Sequence, residues 1–294
     1  MKNALLGMLL ALATGCAAAA PLPPKAVQLN SDGAAALAAG DLQTAEARLS
    51  LAIEYNPRFT EAWVNLGLVA LSQKKYERAE KDFLEARRLN PDLATPHHAL
   101  GLLAEARGDA EGAEKFYRAA LKVDPGFAAS RANLGRRLYA RGQYEEAREQ
   151  FLRLTEVAPE TIQGWAGLVE CLLRLQRETE ADEVLARARE GFGDAPELGI
   201  LVARQLLRRG AFAQAEAALA PLTSETDRAR AGSAWAWTAV ARESQGKHDE
   251  AIAAANEALK VDAGDLVASY ALGMAMQAKG DKETAKKYLS LVKK

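Results

Sequence analysis

A single spacing of 34 residues recurs along most of this chain and constrains its fold more than any other feature. The recurring glycines are Gly33, Gly67, Gly101 and Gly135, and the recurring prolines are Pro57, Pro91, Pro125 and Pro159. The recurring alanines are Ala45, Ala79, Ala113, Ala147, Ala181 and Ala215, and after two additional residues the series continues at Ala251 and Ala285. A fixed period of this length predicts an array of structural repeats that bury their apolar faces against one another.

The composition predicts that the repeats are helical. Hydrophobic residues make up 49% of the chain but aromatic residues only 6%, so small apolar residues dominate that fraction. Ala, Leu, Glu, Arg and Lys are abundant and favour helices, whereas runs of β-branched residues that would indicate a sheet are missing. Glycine turns, as in 106–109 and 140–143, separate two helices within a repeat, and Pro91 and Pro125 end the second helix.

The second repeat carries the most complete version of a known pattern. Its matching residues are Trp63, Leu66, Gly67, Ala79, Phe83, Ala86 and Pro91. This pattern resembles that of the tetratricopeptide-repeat family. The resemblance implies an all-α fold, a right-handed α-solenoid of about eight helical hairpins with a concave inner surface. The predicted repeats are 26–59, 60–93, 94–127, 128–161, 162–195, 196–231, 232–265 and 266–294.

Some repeats depart from this pattern. In the third, His97 replaces the tryptophan, and in the fifth, Val169 and Gly193 replace the glycine and the closing proline. The sixth repeat matches least well. The last repeat runs to Lys294 with several lysines, which we interpret as a charged cap or, alternatively, as a docking surface.

The first fifteen residues predict a cleaved secretory signal peptide. Lys2 is followed by an apolar run over 4–13, which is too short to span a membrane. The sequence Ala-Thr-Gly-Cys at 13–16 resembles the lipobox of bacterial lipoproteins. That resemblance implies cleavage before Cys16, acylation of Cys16 and, because Ala17 rather than aspartate follows, anchoring at the periplasmic face of the outer membrane. Residues 16–25 then form a proline-rich tether. The alternative is an uncleaved signal anchor.

The sequence shows no constellation of residues that predicts catalysis, a metal or a cofactor. His97 and His98 are neighbours on a helix and point about 100° apart, so they do not form a chelating face. Cys171 lies in an apolar helix, where a buried, inert thiol is expected. The net charge of −1 and the pI near 6.4 argue against binding to nucleic acid. We therefore expect a protein that is not an enzyme.

The first helix of each repeat lines the concave groove in this family, and alignment on the glycines predicts the groove residues. They are Asn65, His98, Asn133, Arg136, Tyr139, Glu170, Arg174, Arg204 and Arg208. Asn65 and Asn133 share a repeat position whose amide can hold an extended peptide backbone, although Ala99 interrupts the series. The arginines indicate an acidic partner segment. The alternative interpretation is that these positions form solvated helix faces.

These features together predict a protein–protein interaction scaffold or assembly factor, anchored in the outer membrane and facing the periplasm. Lipoproteins with this layout resemble those of gliding-motility machinery and of type IV pilus or secretin assembly. The partner is then an extended peptide or a subunit of an envelope complex. The alternatives are an adaptor that recruits peptidoglycan enzymes and a component of outer-membrane-protein assembly. A cytoplasmic co-chaperone would require that 1–16 is not a signal.

Overall fold

The computed structural model describes residues 22–292, and all secondary structure in that range is helical. The predicted signal peptide and Cys16 lie outside the described residues. The chain divides into two compact units, the first ending at Asp109 and the second beginning at Ala110. Within 22–292, no helix combines the length and the apolar character needed to cross a membrane.

The first unit contains five helices. They are α1 (Pro24–Ala38), α2 (Leu42–Tyr55), α3 (Thr60–Ser72), α4 (Tyr76–Leu89) and α5 (Ala94–Ala106). Helices α1 and α2 pack as one hairpin and α3 and α4 as the next, and α2 also packs on α3. This order is the stacking of hairpins that the repeat predicts.

The second unit contains eleven α-helices. They are α6 (Ala110–Val123), α7 (Ala128–Ala140), α8 (Tyr144–Val157), α9 (Ile162–Arg174), α10 (Glu178–Phe192), α11 (Pro196–Arg208), α12 (Phe212–Leu219), α13 (Arg228–Ser244), α14 (His248–Val261), α15 (Leu266–Ala278) and α16 (Lys282–Val292). From the hairpin of α7 and α8 to the hairpin of α15 and α16, each hairpin packs on the next one. The predicted fold class, an all-α solenoid of helical hairpins, is confirmed.

The periodic alanines lie where the helices approach one another. All eight of them, from Ala45 to Ala285, are at most 3% exposed. Ala251 and Ala285, which follow the series only after a shift of two residues, are as buried as the others. The shift was therefore the correct alignment, because a wrong register on a helix would turn these positions toward solvent.

The position occupied by tryptophan in the family pattern has a hydrogen-bonding role. Trp63 Nε1 donates to the carbonyl oxygen of Pro57 at 2.9 Å, and Trp165 Nε1 donates to that of Pro159 at the same distance. In the third repeat, Nε2 of His97 lies 3.4 Å from the corresponding proline oxygen. The substitution of tryptophan by histidine thus keeps a nitrogen beside the carbonyl that closes the preceding turn.

Each repeat turns between its two helices through a residue with positive φ. Glycine occupies this position in six repeats, at Gly40, Gly108, Gly142, Gly210, Gly246 and Gly280. Lys74 and Gln176 occupy it in the second and fifth repeats, each with φ of 59°. Side-chain-bearing residues adopt this conformation at some cost, so these two turns are more strained than the others.

Helix α1 begins at Pro24, inside the segment 16–25 that was predicted as a tether. Proline is well suited to the first turn of a helix, because its fixed φ is helical and its missing N–H would have no partner there. Ala26 and Leu29 on this helix are buried in the first core. The predicted tether, 16–25, therefore extends too far at its C-terminal end, because residues from Pro24 onward belong to α1.

The sixth repeat deviates most from the pattern. Helix α12 has only eight residues and continues into a 3₁₀ helix, Ala220–Ser224, which contains Pro221. Helix α13 then begins at Arg228, before the predicted start of the seventh repeat at 232, and the Asp227 side chain accepts hydrogen bonds from the first amides. This irregular connection accommodates the two additional residues.

Candidate functional site

A groove of about 750 Å³ lies in the second unit, along the first helices of successive repeats. Five of its lining residues were predicted from the sequence: Arg136, Tyr139, Glu170, Arg174 and Arg204. The others are mostly apolar: Phe151, Gly167, Leu173, Trp237 and Val267. The groove thus combines charged side chains with an apolar lining, which is the usual character of a protein's binding sites.

The Phe151 ring contributes to this lining because two glycines let it approach the backbone. A Cβ atom at Gly167 on α9 would lie 2.6 Å from Cδ1 of Phe151, and one at Gly135 on α7 would lie 3.0 Å from Cε1. Phe151 is only 4% exposed despite lining the groove. The position of the ring therefore depends on the absence of side chains at both glycines.

Glu170 on α9 connects three neighbouring helices. Its carboxylate accepts a hydrogen bond from Arg204 Nη1 on α11 at 2.6 Å and another from the Tyr139 hydroxyl on α7 at 3.3 Å. The Tyr139 oxygen in turn accepts from Arg174 Nε at 3.1 Å. Burial raises the pKa of Tyr139, so its hydroxyl remains a hydrogen-bond donor at neutral pH.

The aromatic rings in and beside the groove hold two of its guanidinium groups. Cζ of Arg204 lies 5.2 Å from the ring centroid of Trp237, and Cζ of Arg174 lies 5.9 Å from the centroids of both Tyr139 and Tyr144. Such cation–π contacts restrict the side chains without neutralising their charge. Arg174 and Arg204 are therefore held against aromatic rings with their charge retained.

The four predicted arginines differ in how their charge is compensated. Arg204 pairs with Glu170, and Arg208 pairs with Asp182 on α10 at 2.6 Å. Neither Arg136 nor Arg174 forms an ion pair with a carboxylate in the part of the chain that the structure describes. The acidic partner segment stays a prediction, and Arg136 and Arg174 are the predicted arginines to which it still applies.

The remaining predicted residues do not line this groove. Asn133 lies on α7 and accepts a hydrogen bond from Arg136, whereas Arg208 is engaged with α10 as described above. Asn65 and His98 belong to the first unit. Asn65 Nδ2 donates to Oδ1 of Asn30 on α1 at 2.9 Å, and burial lowers the pKa of His98 to about 4. The amide of Asn65 thus already binds within its own unit.

Sequence reasoning missed Trp237 as a groove residue. Trp237 occupies the repeat position of Asn133 and Gly167 once the two-residue shift after the sixth repeat is applied. That register is visible in the sequence itself, so the repeat spacing could have identified Trp237. The same register shows that glycine at 167 interrupts the predicted asparagine series for a second time.

Within residues 22–292, no group of three or more His, Cys, Asp or Glu side chains is arranged to hold a metal ion. Cys171 is 0% exposed, as predicted, and burial raises the pKa of its thiol to about 12. A thiol in that environment remains protonated and is a poor nucleophile.

Three family models, each described as tetratricopeptide repeat, match the chain. One matches residues 104–168, the second matches 33–94 and 203–266, and the third matches 267–294. Together these ranges cover about three quarters of the chain. Comparison with curated protein sequences gives no significant match.

Several solved structures are similar in fold. The crystal structure of the APC/C hetero-tetramer Cut9-Hcn1 has a TM-score of 0.66 at 15% identity, over 85% of this chain and 49% of the matched chain. PilF from Pseudomonas aeruginosa has a TM-score of 0.60 at 20% identity, over 76% of this chain and 97% of its own. A tetratricopeptide repeat protein from Parabacteroides merdae has a TM-score of 0.59 at 18% identity, over 86% of this chain and 100% of the matched chain. At such identities the likeness shows the fold. This chain spans about half the length of the chain matched in the Cut9-Hcn1 structure.

Proposed function

Because the chain belongs to the tetratricopeptide-repeat family, we propose that it is a protein–protein interaction scaffold whose groove in the second unit binds an acidic segment of a partner protein. One observation carries this proposal. Arg136 and Arg174 line the groove without a carboxylate partner among the described residues, beside an apolar surface formed by Phe151 and Trp237. A segment with carboxylates and apolar side chains complements both parts of the groove.

The internal contacts of the groove support preorganised binding of a partner segment. Glu170 already fixes Arg204 and Tyr139, so these side chains need little ordering when a partner arrives. A preorganised site loses less conformational entropy on binding than a flexible one. Arg136 is exposed and therefore available for a bidentate contact with a carboxylate.

A capture experiment with matched variants tests the groove. The double variant Arg136→Gln/Arg174→Gln removes the two uncompensated charges, and we expect it to reduce partner capture about tenfold or more. The control is Arg153→Gln on α8, which is exposed, pairs with Glu156 and does not line the groove. Capture that is equally strong for wild type and double variant would show that the partner binds elsewhere.

We further propose that the scaffold is anchored by a lipid on Cys16 to the outer membrane and faces the periplasm. The lipobox-like sequence at 13–16 supports this proposal, together with the apolar run that precedes it. Two or more acyl chains give stable anchoring. Membrane fractionation of wild type and Cys16→Ala tests it: we expect only the variant to leave the membrane fraction. Identical distribution of both proteins would contradict the proposal.

The proposed role is the assembly of a cell-envelope machine, such as gliding-motility or type IV pilus and secretin machinery. The signal-like N-terminus supports a location in the envelope, and the fold is similar to that of PilF from Pseudomonas aeruginosa. Crosslinking in the native host, followed by purification and mass spectrometry, tests this role. Recovery of secretin or motility components is the expected result. Recovery of peptidoglycan enzymes or of outer-membrane-protein assembly components alone would replace it with one of the alternatives.

A further inference from the structure

A second cavity, of about 540 Å³, lies in the second unit and is lined by the end of α10, by α11 and by α12 with the 3₁₀ helix that continues it. Helix α10 packs on α11 less extensively than any other second helix packs on the first helix that follows it. The cavity is separate from the groove described above, since the two share no lining residue.

The cavity corresponds to the place that a tryptophan ring fills in the fifth repeat. There, Nε1 of Trp165 bonds to the carbonyl of Pro159, and Cζ of Arg187 lies 5.2 Å from the centroid of the ring. The residues that follow Pro159, Trp165 and Arg187 by 34 positions are Gly193, Gly199 and Pro221. All three line the cavity. The sixth repeat thus keeps the equivalent surroundings but carries glycine in place of the tryptophan.

The wall of the cavity is apolar. Leu198, Val202 and Leu206 on one face of α11 contribute to it, and Ala218 and Leu222 lie on the opposite side. Leu222 packs directly on α11, since a Cβ atom at Gly199 would lie 2.7 Å from its Cδ1. A wall of this kind favours an apolar group that leaves water, and an aromatic ring buries a large apolar area.

The charged residues at the rim of the cavity are all compensated within the chain. The ion pairs that involve them join Arg189 to Asp194 at 2.9 Å, Arg209 to Asp182 at 3.1 Å and Glu225 to Arg230 at 3.1 Å. A charged occupant would therefore lose its hydration without gaining an unpaired counter-charge. The cavity favours a neutral occupant.

Gln205 on α11 supplies a polar group that the fold itself does not use. It lines the cavity and is 9% exposed, and its side-chain amide forms no hydrogen bond among the described residues. The amide is not sealed off, because its atoms are not among the unpartnered polar atoms that lack accessible surface. It lies six positions after Gly199 and thus about 9 Å further along the helix. An amide both donates and accepts, so it matches a peptide main chain.

We propose that this cavity receives a tryptophan side chain from a partner protein. The indole occupies the space bounded by Gly193, Gly199 and Pro221, where the fifth repeat holds its own ring. The Gln205 amide bonds to the main chain beside the inserted tryptophan, which satisfies a polar group that is otherwise buried without a partner. The ligand is neutral and apolar, unlike the acidic segment proposed for the groove, so this site does not depend on that one.

Binding of small probes to the full-length chain tests this proposal. The probe is N-acetyl-tryptophan methylamide; N-acetyl-alanine methylamide lacks the ring, and 3-methylindole lacks the main chain. The readout is the methyl NMR resonances of Val202 and Leu222, assigned from Val202→Ile and Leu222→Ile. We expect capped tryptophan to shift them in a saturable manner, capped alanine to leave them unchanged, and 3-methylindole to bind about fivefold or more weakly than capped tryptophan.

Three variants separate the two parts of the site. Gln205→Met keeps the length of the side chain and removes its amide, so it should weaken capped tryptophan about fivefold or more and leave 3-methylindole unchanged. Gln163→Met is the matched control, because Gln163 on α9 is exposed and does not line the cavity; both ligands should bind it like wild type. Gly199→Trp supplies an indole from the chain itself and should abolish binding of both, with urea unfolding as the check that it is folded.

Three results would overturn the proposal. Equal binding of capped tryptophan and capped alanine would show that the cavity does not select the ring. Full binding of capped tryptophan to Gln205→Met would remove the contact to the main chain. Equally tight binding of 3-methylindole and capped tryptophan to wild type would indicate a site for free indole compounds instead of a partner protein.

Discussion

Replacement of Gly167 by alanine tests how the repeat packing builds the groove. The added Cβ would lie 2.6 Å from Cδ1 and Cε1 of Phe151 and 2.7 Å from Cζ. Real Cβ atoms do not approach other carbons this closely, so the ring must move. It cannot move freely, because Phe151 is only 4% exposed and is packed among neighbouring side chains. Gly167→Ala is therefore expected to destabilise the second unit.

The magnitude follows from two opposing effects. Alanine in place of glycine within a helix gains about 1 kcal/mol of helix propensity. Overpacking of a buried ring costs about 1–3 kcal/mol. The net loss in the free energy of unfolding should therefore be up to about 2 kcal/mol. Gly191 on α10 supplies the control, because a Cβ there has nothing within 4 Å. Gly191→Ala should stabilise the chain by up to about 1 kcal/mol.

The assay is urea unfolding of the full-length chain, followed by circular dichroism. A second variant, Phe151→Leu, removes the ring against which the new methyl group packs. In that background Gly167→Ala should cost less by about 1 kcal/mol or more, which a double-mutant cycle measures directly. Stabilisation by Gly167→Ala as large as that by Gly191→Ala would refute the reasoning. So would an identical cost in both backgrounds.

Three further predictions concern single contacts. Trp165→Phe removes the N–H that donates to Pro159 and should lower the free energy of unfolding by about 1 kcal/mol in urea titrations; no loss would mean that the bond contributes nothing. Because the pKa of Asp82 is raised from 3.8 to about 6, ionisation opposes folding, so wild-type stability should fall by up to about 3 kcal/mol as pH rises from 4 to above 6. Asp82→Asn should lack this fall, and an equal fall in both proteins would contradict the assignment. In a Cys16→Ser chain, Cys171 should react with a thiol reagent only after unfolding; rapid labelling of the native protein would contradict its burial.

The repeat period determines much of the fold. The spacing of Ala45 and its seven equivalents identified the buried helix faces, and all eight are buried. Small residues at a fixed period report packing reliably, because a helix–helix contact tolerates little variation in side-chain size. The irregular sixth repeat was recognised as weak, but its 3₁₀ helix and the early start of α13 were not predicted.

The candidate site was predicted only in part. Register on the first helices was sufficient to place Arg136, Glu170 and Arg204 on one surface, since residues at equivalent repeat positions lie side by side in a stacked array. Register cannot show which charges remain uncompensated. That depends on distances between side chains of different helices, such as the 2.6 Å between Arg204 and Glu170.

The sequence by itself therefore determined the fold class and the alanine positions that are buried between helices. The tertiary structure alone decided that Arg136 retains an uncompensated charge while Arg208 does not, that Phe151 reaches the groove past Gly167, and that Asp82 is buried without a donor. The physical reason is the separation along the chain of the residues that decide each feature. Helix formation and helix faces follow from residues a few positions apart, whereas charge compensation and cavities arise from side chains that meet only when the hairpins stack.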